Sequence, residues 1–205
     1  MSKRKHMLSR VLGVALFVPV VAFADPALDD QLHRAVLSLD ANAVRSVIAR
    51  GANASAIING RSLLGWAAQN GDVGVVRALI AAGASPDHVD MVGHTPLMRA
   101  IDMQNIEIVQ ALLQARPDLG IRDQRGQTVT MRAAETGRQD IVEAVLAAGA
   151  DPSATDPEGN SPALVALMFA PGDDEAAALI ALLGRYKADM NHANAAYSPL
   201  VYAVD

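Results

Sequence analysis

Four glycines set the register of this chain. Gly60, Gly93, Gly126 and Gly159 stand 33 residues apart, three intervals in a row. Other columns keep the same beat. Asp90, Asp123 and Asp156 recur at 33, as do Ser62, Thr95, Thr128 and Ser161. Ala67, Ala100, Ala133 and Ala166 supply a small residue at one fixed place. A period near 33 means one supersecondary unit stacked on copies of itself, because a single unit cannot bury its apolar face alone.

The composition agrees with such a stack. Of 205 residues, 51% are apolar but only 3% aromatic, so Ala, Leu and Val must fill the core. Small side chains let helices approach closely and make poor walls for a large cofactor cavity, so no cofactor is expected. The chain has no cysteine, which excludes disulfides, thiol nucleophiles and cysteine metal sites. The net charge of −5 conceals a split: residues 1–24 carry Lys3, Arg4, Lys5 and Arg10 and no acid. The remainder holds 13 basic residues against 22 acidic, with Lys187 its one lysine. An acidic body lacks the basic face that replaces phosphate counterions, which argues against nucleic acid. It suits a soluble protein or a basic partner surface.

Residues 1–24 read as a secretory signal. Lys3-Arg4-Lys5 is a basic start, Val11 to Val21 an apolar stretch and Ala22-Phe23-Ala24 a cleavage motif. The apolar run is short for a membrane span and contains Pro19. Cleavage between Ala24 and Asp25 is expected, leaving residues 25–205 in the periplasm or secreted, with no membrane span.

The best-preserved unit opens Asp90-Met-Val-Gly93-His-Thr95-Pro96-Leu97 and continues through Ile106, Ile108, Val109, Leu112 and Leu113. Thr95 is placed to cap a helix and Pro96 to occupy its first turn. With the Gly-Ala endings Gly51-Ala52, Gly83-Ala84 and Gly149-Ala150-Asp151, these residues resemble the ankyrin repeat family from about residue 28 onward. The resemblance implies an all-α solenoid of helix-turn-helix units with hairpin-like turns projecting to one side. The units are expected at about 28–56, 57–89, 90–122, 123–155 and 156–192, with a partial unit at 193–205 as the C-terminal cap. Unit 1 is degenerate, with Leu32, Val44, Val47 and Ile48 as its packing residues. In unit 3, Arg116-Pro117-Asp118 replaces the Gly-Ala ending, so a locally altered turn is expected. In unit 5, Pro162 and Pro199 are 37 apart, so about four residues are inserted. Ala170 to Asp174 are read as lengthening the connection, followed by an extended second helix from about Asp174 to Tyr186.

No Gly-x-Ser-x-Gly, phosphate-binding loop, Gly-x-Gly-x-x-Gly or His-Glu-x-x-His is present. Ser161 in Gly159-Asn160-Ser161-Pro162-Ala163 fills the capping column, so no catalytic residue is expected. Asp87, His88, Asp90 and His94 cluster around one turn, and imidazole and carboxylate are suitable ligands for a divalent metal. Asp90 however occupies the turn column and the other three read as solvated turn residues, so no metal is expected.

What the resemblance implies is a binding role, on the turn tips and the outward side of the first helices. In this register the tips carry Ile58, Met91, Val92 and Arg125. Arg61 and His94 follow the glycines. Trp66, Arg99 and Arg132 form one helix row, and Asn70 and Met103 stand in another. Ile58, Met91 and Val92 are apolar where water is expected, and Trp and Arg are enriched in binding hot spots. These eleven residues are the candidate partner groove. The alternative is that Trp66 packs into the stack and the arginines pair with Glu135 or Asp102.

An array capped at both ends has no need to associate, so a monomer is expected. Without a converging acid–base or nucleophile set, no enzyme is expected. Similarity to exported bacterial proteins of this layout implies a module that binds a periplasmic protein. Antioxidant enzymes such as catalases are among those such proteins support. A toxin-neutralising immunity protein and a secreted effector are the alternative readings.

Overall fold

A computed structural model describes residues 26–190. The secretory signal and the C-terminal half-unit expected from the sequence lie outside these residues. Ten helices pair in chain order: α1 (Pro26–Leu37) with α2 (Ala41–Ala49), α3 (Leu63–Asn70) with α4 (Val73–Ala81), and α5 (Pro96–Asp102) with α6 (Ile106–Gln114). They continue as α7 (Val129–Glu135) with α8 (Gln139–Ala147), and α9 (Pro162–Phe169) with α10 (Asp173–Arg185). The odd-numbered helices stack on one another as an inner layer and the even-numbered ones as an outer layer. This is an all-α repeat solenoid.

The inner helices start where hydroxyls cap them. Ser62, Thr95, Thr128 and Ser161 accept from the amides of Gly65, Met98, Met131 and Leu164 at 3.0–3.4 Å. Each satisfies an amide that the helix itself leaves without a partner. Pro96 and Pro162 sit in the first turn, where no amide is needed. The layers meet through Leu63, Leu64, Val76 and Leu79, then Leu97, Ile101, Ile108 and Leu112, then Met131, Ile141, Val145 and Leu146, all buried. Ala67, Ala100, Ala133 and Ala166 are fully buried, so the small-residue column lies inside the stack. Each buried leucine contributes roughly 1.5–3 kcal/mol through removal from water. Thr130 stands in the column of Leu64 and Leu97, and its hydroxyl is buried without a hydrogen bond.

The projecting turns are built by the aspartate column. Asp90 accepts from the amides of Val92 and His94, Asp123 from those of Arg125 and Gln127, and Asp156 from that of Asn160. Unit 2 has Ile57 in this column and closes its turn differently. A short strand β1 (Ile57–Ile58) pairs antiparallel with β2 (Arg61–Ser62), joined by Asn59-Gly60. Both joining residues have positive φ, 51° and 74°, as a type I′ hairpin turn requires.

Two expectations change. Arg116 adopts φ 53° in the place of Gly83 and Gly149, and its amide makes the same bond, to Leu113 O. The helix ending of unit 3 therefore keeps its path. What it loses is the following bond, made by Ala84 and Ala150 elsewhere, because Pro117 has no amide hydrogen. In unit 5 the connection between helices is three residues, 170–172, no longer than in units 3 and 4. The inserted residues lie in α10, which has 13 residues where the other outer helices have nine. Asp173, Asp174 and Glu175 are favourable at a helix start, so the chain coils there instead of looping.

No helix among the described residues is long and apolar enough to cross a membrane.

Candidate functional site

The turns and inner helices of units 2 to 5 make one continuous face. Its first part is apolar at the tips. Met91 is 76% exposed, Ile57 55% and Val92 43%. Ile58 is half-buried against the core. These tips are braced by the next turn: Gln124 donates through its amide to Val92 O at 3.3 Å and through Nε2 to Met91 O at 2.6 Å. The apolar residues are thus held out on a hydrogen-bonded row.

Behind the tips lies a charged network. Trp66 on α3 is half-buried against the core, with the Arg61 guanidinium 5.6 Å from its ring centroid, within cation–π reach. Arg61 also donates to Gln69 and lies 3.8 Å from Asp90 of the next unit. Arg99 on α5 folds back onto Asp90, with Nε donating to Oδ2 at 2.8 Å. Arg132 on α7 pairs with Asp102 of the preceding unit and lies 3.6 Å from Glu135. Asn70 donates to the Trp66 carbonyl at 2.8 Å, and Met103 ends α5 half exposed. Arg125 is exposed at its tip.

His94 is not a solvated turn residue. Its side chain is 13% exposed and lies between two carboxylates, Nδ1 3.3 Å from Asp102 and Nε2 3.6 Å from Asp123. The turn folds back over the inner helices, so the position after each glycine is covered. The other members of the expected turn cluster have separate partners. His88 Nε2 is 3.3 Å from Gly60 O, and Asp87 accepts from the Asp118 amide at 2.8 Å. No group of three or more possible metal ligands is gathered among the described residues.

The carboxylates respond to this setting. Burial pushes Asp90 upward, but the Arg99 hydrogen bond and the amides of Val92 and His94 outweigh it, so its pKa lies below the usual 3.8. Asp102 is likewise raised by burial and brought below that value by His94 and Arg132. Both are held as anions, and Arg99 and Arg132 already have their counter-charges.

Arg132 therefore follows the alternative reading, taking both Asp102 and Glu135, whereas Arg99 takes Asp90; Asp123 and Gln127 are the partners that the sequence reading did not assign. It did not single out Met168 at the C-terminal end of the face, 43% exposed, beside Phe169, 56% exposed, which continues the row of Asn70 and Met103. A signal existed. Asp90 and Arg99 are nine residues apart, as are Asp123 and Arg132, which lie 4.0 Å apart. In unit 5 the same interval joins Asp156 to Val165, and the face turns from charged to apolar. Beside Val165, Met168 and Phe169 a cavity of about 570 Å³ opens, rimmed by Gln124, Arg125 and Glu158.

Residues 32–123 and, overlapping them, 64–156 match the family model described as ankyrin repeats (3 copies). No curated protein matches the chain.

Proposed function

The chain belongs to the ankyrin repeat family, whose repeats mark a protein–protein interaction module, and we propose that it is an exported module that binds a periplasmic protein. The observation that carries this reading is the pair of exposed apolar tips at Met91 and Val92, braced by Gln124, with exposed Ile57 in the preceding unit. Apolar side chains held in water by a rigid backbone need a covering surface. Residues 1–24 support export, with a basic start, an apolar stretch and a cleavage motif. The role is binding, not catalysis, and an antioxidant enzyme such as a catalase heads the partners to assay.

The test is capture from a periplasmic extract by the tagged protein, beside its Met91→Ser, Val92→Ser double variant. Both side chains are exposed, so the variant is expected to fold. Capture of one partner, weakened roughly tenfold or more in the variant, is the expected result. Equal capture by both proteins rejects the tips as the contact, and no partner at all rejects the module reading. Export is read separately: the periplasmic fraction is expected to contain a chain beginning at Asp25.

A further inference from the structure

We propose that the cavity of unit 5 is a subsite for a bulky apolar side chain flanked by basic residues on the partner protein. This rests on the interaction reading above and names the chemistry that its C-terminal half would take.

Three observations converge. The first is that the inner face changes character along the array. Trp66, Arg99 and Arg132 are followed in their column by buried Val165, and Gln69, Asp102 and Glu135 by exposed Met168. In units 3 and 4 the charged side chains are paired to one another. A partner can recruit them only by breaking pairs that are already desolvated. Met168 and Phe169 have no such commitment, and covering them removes apolar area from water.

The second is shape. The cavity of about 570 Å³ beside Val165, Met168 and Phe169 has the size of a recognition cleft and admits a large side chain.

The third is charge. Between Arg138 and Arg185 the chain has no Lys, Arg or His, and residues 139–184 carry eight acids, of which Asp140 and Glu143 pair with those two arginines and six do not. Glu158 lines the cavity and is exposed. Asp173, Asp174 and Glu175 begin α10 four to six residues after Phe169. A methyl group on Gly172 would meet the Glu175 carboxylate at 2.6 Å, so this acid lies over the connection that leaves Phe169. Arg125 is the one cation lining the cavity. An apolar anchor with basic neighbours fits this field, and one with acidic neighbours is repelled.

The probes are three 12-residue peptides: a central Phe with Arg and Lys on both sides, the same with Glu on both sides, and the basic peptide with Ser for Phe. Binding to the full protein is followed by the methyl resonances of methionine, which separate Met168 at the cavity from Met91 at the tips. The basic Phe peptide is expected to move Met168 and leave Met91 in place. Affinity is expected to fall roughly tenfold or more for each control peptide, and for the Phe169→Ser protein with unchanged melting temperature. Met168→Gln serves as a second variant if Phe169→Ser melts early.

Equal binding of the acidic peptide, a shift at Met91 alone, or no binding overturns the proposal. A Met168 shift that follows protein concentration without peptide identifies a second copy as the occupant and overturns it too. The interaction reading has its own outcome: partner capture that depends on Met91 and Val92 but not on Phe169 retains the module and rejects this subsite.

Discussion

Asp90 combines two roles in one side chain. One carboxylate oxygen holds the turn by accepting from Val92 and His94, and the other holds Arg99 on the inner helix. Replacing it with Asn separates them, because the amide oxygen still accepts while the charge is gone. Asp90→Asn is expected to cost about 1–3 kcal/mol at neutral pH, the worth of a charge-assisted bond in a half-buried place. The pH dependence has a definite sign. The folded-state pKa of Asp90 lies below 3.8, so the unfolded chain takes up its proton first as pH falls. The stabilisation is complete above about pH 5 and shrinks as pH falls below 3.8 towards the folded-state value. Urea unfolding of both proteins between pH 7 and pH 3 is expected to show a gap that narrows with acid. A gap that stays constant would mean that the Arg99 pair contributes nothing. Asp102 acts in the same direction, so the wild type itself loses stability across this window.

The turn is the element through which units hold their neighbours, and Gly93 shows how closely. Its φ is +81°, and a Cβ there would lie 2.8 Å from the Gln124 amide nitrogen and 3.0 Å from the Asp123 Cα. Both are backbone atoms of the next turn, which cannot move aside without loosening the bonds of Gln124 to Val92 and Met91. Gly83 has the same sign of φ, +82°, but open space where its Cβ would be. Gly83→Ala is therefore expected to cost only the left-handed penalty of about 1–2 kcal/mol. Gly93→Ala is expected to cost more than that by at least about 1 kcal/mol, through overpacking. Denaturant midpoints compare them, and equal losses would show the turn-to-turn contact to be soft. This register was legible in the sequence because it is local: caps, prolines and glycines each act within one turn. The pairing of Arg132 with Asp102, 30 residues away, was less so, since it depends on how two units stack. In the sequence Pro171-Gly172 signals a break, which points the inserted residues of unit 5 to the connection. The acids that follow Gly172 are what let α10 start there and absorb the extra length.

The whole molecule has two electrical halves. Residues 26–138 contain eleven arginines and no lysine against eleven acids, whereas residues 139–184 have eight acids and no base. In the first half, pairing along the inner face cancels charge over a few ångströms, and its field fades beyond it. Flanking the second half, Arg138 and Arg185 pair only with Asp140 and Glu143, so the potential of the remaining acids reaches outward until salt screens it, about 10 Å at 0.1 M. A basic segment approaching the array is therefore drawn towards unit 5 before any contact is made. Steering of this kind acts on the encounter, so it appears in the association rate. For the basic Phe peptide, the association rate is expected to fall roughly threefold to tenfold between 50 and 500 mM salt, with the dissociation rate changing less. Neutralising Asp173, Asp174 and Glu175 together is expected to flatten that salt dependence. Its cost to folding is small, up to about 1 kcal/mol for each charge lost from the start of α10. Stopped-flow mixing of the labelled peptide with both proteins reads the two slopes. If they coincide, the field at unit 5 does not guide the partner, and the apolar cavity alone must account for any preference.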